Sequence, residues 1–230
     1  LISNTTGYEN IGIGYNVLKT NQIGSSNIGL GINTLLSNTS GDNNIALGES
    51  SLHNNITGNG NTSLGSNSLY LNTNGDNNTA IGAFALDTNT EGHSNVAVGR
   101  EAGHDITTGT GNTLVGNAAG DKITTAEYNT AIGAGALGSQ AADADGNIAI
   151  GDFAMGAVNN AASIENVVVG GYAGSGGTGQ LIRTVAIGKN ALNSTGTANL
   201  TGTVAIGYNA GTAINHGNAG SSTLVGYLCG

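Results

Sequence analysis

The segment Asn78-Thr79-Ala80-Ile81-Gly82 is one copy of a repeat, because close relatives of it recur along the whole chain. Its final glycine returns at a constant interval from Gly14 to Gly133, and at slightly longer intervals from there to Gly226. A regular period of this kind is the signature of a repeat protein in which each unit forms one coil. The glycine column comprises Gly14, Gly31, Gly48, Gly65, Gly82, Gly99, Gly116, Gly133, Gly151, Gly170, Gly188, Gly207 and Gly226.

The residue four places before each glycine, position 1 of the repeat, is asparagine in the first ten copies and Thr184, Thr203 and Ser222 in the last three. We expect these side-chain amides to stack and to bond in a structural ladder. The alternative is N-glycosylation, for which Asn4-Thr5-Thr6 and Asn38-Thr39-Ser40 match the acceptor pattern; an Asn/Thr-rich repeat generates such triplets automatically. The ladder asparagines are Asn10, Asn27, Asn44, Asn61, Asn78, Asn95, Asn112, Asn129, Asn147 and Asn166.

Within each repeat the pattern favours strands over helices. A glycine in every unit costs a helix about 1 kcal/mol relative to alanine, whereas positions 2 to 4 are aliphatic or β-branched around one small residue and are bounded by glycine. A second short extended segment is expected at positions 7 to 10, followed by a polar turn. The sequence therefore predicts an all-β protein, a parallel β-solenoid or β-roll of about 13 coils of 17–19 residues, stacked about 4.8 Å apart.

The period divides the chain into a regular and a less regular part. Residues 1–139 are expected to form 17-residue coils and residues 140–230 to continue them with longer coils, in one repeat domain that is a piece of a longer chain. Between Gly138 and Gly146 the period lengthens, so we expect a change of coil width or twist there, with the extra residues bulging from the turn.

Composition excludes several classes of protein. The chain has 41 glycines, no proline and 8% charged residues, which argues against collagen, disorder and a coiled coil. A proline would remove a ladder hydrogen bond, so its absence suits stacked strands. The net charge of −9, with five scattered basic residues, argues against a nucleic-acid partner, and no apolar run is long enough for membrane insertion.

Each coil offers only two or three large apolar side chains for a core, at positions 4, 9 and sometimes 2. Their burial, at about 1.5–3 kcal/mol each, is smaller than the cost of ordering the coil, at about 1–2 kcal/mol per residue. We therefore expect an oligomer, a parallel homotrimer, in which the small residues at positions 3 and 5 face a second chain.

The units Asn78–Leu86 and Asn129–Leu137 resemble the Asn-Thr-Ala-Ile-Gly-x-x-Ala-Leu repeats of phage tail-fibre proteins. The Val-Ala-Ile-Gly units that end at Gly188 and Gly207 are similar to the head repeats of trimeric autotransporter adhesins, whose repeat is usually shorter. The resemblance implies a trimer of parallel β-rolls that forms the shaft or spike of a phage tail fibre on the virion and takes part in host attachment. It implies other tail or baseplate proteins and a host cell-surface glycan as partners.

No catalytic, metal or cofactor site is expected. His53 and His104 share position 10, but they lie three repeats apart, which is too far for one ion. One histidine from each chain could meet around a trimer axis, but the favoured interpretation is that both are exposed turn residues. Cys229 is interpreted as a small buried residue. Aromatic residues favour positions 6 and 7, and Tyr172 and Tyr208 are the candidates for glycan contact, against the alternative that they only cover a corner of the coil.

Three functions other than the tail-fibre shaft are weighed. The first is a bacterial surface adhesin head that binds glycan or matrix through the coils. The second is an ice-binding solenoid, although position 2 mixes isoleucine, valine and threonine. The third is an enzyme, which is disfavoured because the acidic residues do not repeat in register.

Overall fold

The computed structural model describes residues 3–139, 144–157, 163–177, 179–212, 214 and 219–230. These residues form strands and turns and include no helix, and every strand pair between them is parallel. The predicted all-β parallel solenoid is thereby confirmed. By their contacts the residues form two compact units, Leu1–Gly111 and Asn112–Gly230, which are described in turn. The bulge is predicted between Gly138 and Gly146, and residues 140–143 of that stretch lie outside the described residues.

The first unit is a single parallel sheet with one strand from each coil. Each strand pairs with the equivalent strand of the next coil, so that Ile11 lies beside Ile28 and Thr79 beside Val96. Because the pairing repeats the sequence period, equivalent residues of successive coils stand in columns. The strands, in sheet order, are β1 (Ile11–Tyr15), β2 (Ile28–Ile32), β3 (Ile45–Leu47), β4 (Thr62–Leu64), β5 (Thr79–Ile81) and β6 (Val96–Val98).

The second unit continues the same strand type and adds a second sheet. Its main strands are β7 (Thr113–Val115), β8 (Thr130–Ile132), β9 (Ile148–Ile150), β10 (Val167–Val169), β12 (Val185–Ile187), β14 (Val204–Ile206) and β16 (Thr223–Val225). The second sheet consists of β11 (Leu181–Ile182), β13 (Leu200–Thr201) and β15 (Ala219–Gly220). The longer repeats near the C-terminus thus form an additional backbone ladder.

The chain turns within each coil through residues with left-handed backbone. The glycine column has φ between +125° and +147°. Most residues at positions 7 and 9 and at the last position of each repeat have left-handed φ values, such as +60° at Phe84, +51° at Leu86 and +56° at Asn77. Position 9 includes leucines, such as Leu69 at +49° and Leu86 at +51°, in a conformation that bulky residues seldom adopt. The prediction of a second extended segment at positions 7 to 10 is therefore wrong, because two left-handed residues make that stretch a turn.

The interior of each coil is narrow and holds small residues. Position 3 points inward and is fully buried, as at Ala80 and Ala131, together with the position 8 residue and the position 9 leucine. Positions 2 and 4 point outward. The expectation that the small residues face a second chain and that position 4 fills the core is therefore wrong. Alternate residues of a strand lie on opposite faces, and only the smaller set fits inside the coil.

Candidate functional surface and the ladders that support it

The candidate surface of each unit is the outer side of its parallel sheet, here called the outer apolar face and defined by positions 2 and 4 of the repeats. In the first unit it includes Ile13, Leu30 and Ile81, which are 60%, 44% and 37% exposed. In the second unit it includes Ile132 and Ile187, which are 40% and 38% exposed. Position 4 is isoleucine, leucine or valine in every repeat, whereas position 2 is threonine in several of them. A rank of outward aliphatic side chains of this kind is typical of an interaction surface.

The first asparagine ladder is formed by position 1, which directly precedes the strand that carries this face, and its amides link neighbouring coils. In the first unit Asn61 Nδ2 donates to Asn44 Oδ1 at 3.2 Å and to the carbonyl oxygen of Gly75 at 2.8 Å. Its Oδ1 accepts the backbone N–H of Asn78 at 2.9 Å. In the second unit Asn129, Asn147 and Asn166 continue the pattern at 2.9–3.2 Å. These amides are buried and bonded to successive coils, as the ladder prediction describes.

After Asn166 the side chain at position 1 of the ladder is a threonine hydroxyl instead of an asparagine amide. The backbone N–H of Thr184 still bonds to Asn166 Oδ1 at 2.9 Å, while the Thr184 hydroxyl donates to the carbonyl oxygen of Leu200 at 3.3 Å. The substitution of threonine for asparagine coincides with the second sheet. Backbone pairing there replaces part of the amide bonding.

A second asparagine ladder, which was not predicted from the sequence, runs through position 12 of the first unit. Asn38 Nδ2 donates to Asn21 Oδ1 at 2.7 Å, and Asn72 Nδ2 donates to Asn55 Oδ1 at 2.7 Å. The ladder ends at Asn89, whose Oδ1 is buried without a hydrogen-bond partner among the described residues. One repeat later the same position holds the buried Ile106. Asn38 is fully buried in this ladder, which removes it as a glycosylation acceptor in the folded protein.

The glycine column lies where one coil meets the next. A Cβ added to Gly65 would come within 2.6 Å of the backbone carbonyl of Gly82, closer than real Cβ contacts. The φ of +139° at Gly65 is also open only to glycine. Both effects require glycine at this corner.

The two tyrosines proposed for glycan contact belong to separate aromatic pairs. Tyr172 stacks on Phe153 with 5.4 Å between ring centroids, and Tyr208 stacks on Tyr227 at the same distance. A Cβ on Gly135 would reach 2.7 Å from the Phe153 ring, so glycine there makes room for that ring. Tyr172 and Tyr208 are 42% and 43% exposed, with one face of each ring covered by its partner.

The histidines of position 10 have different neighbours. The His53 ring stacks on Tyr70 with centroids 5.0 Å apart, whereas His104 lies between the carboxylates of Asp87 and Asp105. Burial raises the pKa of the Asp87 carboxyl above its ordinary value, and the nearby His104 offsets part of that rise. Cys229, interpreted as buried, is half-buried, and its thiol contacts the carbonyl oxygen of Gly226 at 3.2 Å.

The architecture defines the class of this protein as a parallel β-solenoid with an apolar outer sheet face. Comparison of the chain with protein-family models, with curated proteins and with solved structures returns no match. Among the described residues there is no helix with the length and apolarity that a membrane crossing requires.

Proposed function

We propose that the chain is a shaft or spike segment of a homotrimeric phage tail fibre that takes part in host attachment. The role is structural and non-enzymatic, and its place is the virion tail fibre. The observation that carries the proposal is the outer apolar face. The likeness of the Asn-Thr-Ala-Ile-Gly repeats to those of tail-fibre proteins adds the attachment role and the other tail or baseplate proteins as partners.

In the proposed trimer the outer apolar faces of three chains pack against one another. Full burial of an aliphatic side chain gains about 1.5–3 kcal/mol, so covering the exposed two-fifths of each gains about 1 kcal/mol. Each coil contributes one such side chain at position 4, and a second one where position 2 is isoleucine or valine, so the gain grows with the number of stacked coils. A long repetitive contact of this kind suits a fibre, because its strength increases with length.

Molar mass in solution tests the assembly. We expect light scattering to give three times the 22.5 kDa chain mass. Ile81→Lys, on the outer apolar face at 37% exposure, should dissociate the trimer, because it places three charges at one level of the contact. Ile56→Lys is the matched control, since Ile56 is 42% exposed but lies in a turn. A wild-type mass of one chain, or equal dissociation by both variants, would contradict the proposal.

The alternative, a bacterial surface adhesin head, differs in what the coils themselves bind. A shaft segment should show no binding to bacterial cells or glycans when the purified trimer is applied to them. An adhesin head should bind, and Tyr172→Ala and Tyr208→Ala should weaken that binding if the exposed ring faces stack on sugars. Binding by the wild type that both variants lose would favour the adhesin.

A further inference from the structure

An unpaired carboxylate oxygen stands out in the first unit. Asp87 Oδ1 is buried and has no hydrogen-bond partner among the described residues. The other oxygen, Oδ2, lies 3.6 Å from His104 Nε2, beyond ordinary hydrogen-bond length. A buried polar atom without a partner costs about 1–3 kcal/mol, so such an atom calls for a water or an ion that completes its contacts.

The neighbouring Asp105 fixes the orientation of the His104 ring. His104 Nδ1 lies 2.6 Å from Asp105 Oδ1. An ionised carboxylate only accepts hydrogen bonds, so Nδ1 carries the hydrogen, and Nε2 of the neutral ring then presents its lone pair towards Asp87. A histidine whose second nitrogen donates to a carboxylate is the usual arrangement of a histidine that binds a metal.

We propose that Asp87 and His104 bind a divalent metal ion of the zinc class, with Asp105 as the residue that positions His104. Ligand distances of about 2.0–2.2 Å in a tetrahedral site separate two ligand atoms by about 3.4 Å. The 3.6 Å between Asp87 Oδ2 and His104 Nε2 is close to that separation. Water molecules complete the coordination, and one of them donates a hydrogen bond to Asp87 Oδ1. Because the two ligands are one repeat apart, the ion joins adjacent coils close in sequence to Asn89, where the second asparagine ladder ends.

The other two described histidines lack this arrangement. His93 Nδ1 accepts the backbone N–H of Asp76 at 2.9 Å, so the hydrogen of its neutral ring is on Nε2. His53 Nδ1 lies 3.2 Å from the carbonyl oxygen of Asn33, and its ring packs against Tyr70. His53 occupies the same position of the repeat as His104, which makes it the matched control.

Zinc titration of the metal-free full chain, followed by calorimetry, tests the site. We expect one zinc ion per chain. His104→Gln and Asp87→Asn should each weaken binding about tenfold or more, and Asp105→Asn about tenfold, as for other residues that orient a ligand. His53→Gln should bind as the wild type does. Zinc should also raise the thermal midpoint of the wild type and of His53→Gln, and leave that of His104→Gln unchanged.

Two results would overturn the inference. One is no zinc uptake by the wild type at millimolar zinc, which would show that Asp87 and His104 do not form a metal site. The other is uptake that His104→Gln and Asp87→Asn leave intact, which would place the metal elsewhere. Far-UV circular dichroism shows whether each variant is folded. Asp87→Asn keeps the shape of the side chain, so it decides the question if His104→Gln does not fold.

Discussion

The first asparagine ladder leads to a quantitative prediction for Asn61→Ala. In the wild type Asn61 Oδ1 accepts the backbone N–H of Asn78 at 2.9 Å, and Nδ2 donates to the carbonyl oxygen of Gly75 at 2.8 Å. Alanine leaves the buried N–H of Asn78 without an acceptor, at a cost of about 1–3 kcal/mol. Gly75 keeps a second donor, Asn72 Nδ2 at 3.0 Å, so the lost amide bond there costs only about 1 kcal/mol. We expect a total of about 2–4 kcal/mol.

Native-state hydrogen exchange is the suitable assay, because stacked repeats open locally and need not unfold in one step. The free energy of opening around Asn78 should fall by about 2–4 kcal/mol in Asn61→Ala. Asn74→Ala, an exposed asparagine of the same coil, should change it by less than about 0.5 kcal/mol. If the two variants exchange alike, the buried amide ladder does not stabilise the coils and the reasoning is refuted.

Three more predictions concern the interior, the glycine corner and the outer face. Leu86→Gly and Asn89→Ile should each destabilise the coil. Together they reproduce Gly103 and Ile106, the residues at the same two positions of the next repeat. Denaturation of the two single variants and of the double variant should therefore show that the double variant is more stable than the sum of the single effects predicts, by about 0.5–3 kcal/mol. Gly82→Ala would drive a Cβ into the carbonyl oxygen of Gly99 and should cost at least about 3 kcal/mol in thermal unfolding; at Gly171 an added Cβ meets only Asp152 O, at 3.8 Å, so Gly171→Ala should be nearly neutral. The wild type should show no thermal hysteresis in ice-growth assays, because its outer ranks mix aliphatic residues with threonine, and measurable hysteresis would favour the ice-binding alternative.

The strands, their parallel stacking and the asparagine ladder at position 1 could be predicted from the sequence, because all three follow from its period. The period alone sets which residues pair, as Thr79 with Val96 shows. The second asparagine ladder carried the same signal, since its members recur with the same period, at Asn21, Asn38, Asn55, Asn72 and Asn89. That signal lay in a segment interpreted as a polar turn, where asparagine is common for other reasons.

The strand pattern alone could not predict which set of alternate residues points into the coil. In Thr79-Ala80-Ile81 alternation separates the alanine from its neighbours, but it does not say which set is buried when both sets are non-polar. The answer depends on the width of the coil, which the buried amides and the position 9 leucine already fill. The left-handed Leu69 also contradicts local preference, and only the stacked coils on both sides hold it in place.

The Asp87–His104 pair was equally hidden from the sequence. Acidic residues and histidines occur at position 10 or beside it without a regular order, so their spacing indicates no metal site. Their significance comes from which atoms remain unpaired after the coils have stacked. This depends on side-chain directions that the period does not specify.

Both asparagine ladders are directional. Asn27 Nδ2 donates to Asn10 Oδ1 and Asn44 Nδ2 donates to Asn27 Oδ1, at 3.1 and 3.0 Å, so each later residue brings the donor and each earlier residue holds the acceptor. Since a chain leaves the ribosome from its N-terminus, every finished coil offers a row of acceptors to the one still being synthesised. The hydrogen bonds between the side-chain amides can therefore form in the order of translation. Each new coil can fold against the coil that is already formed.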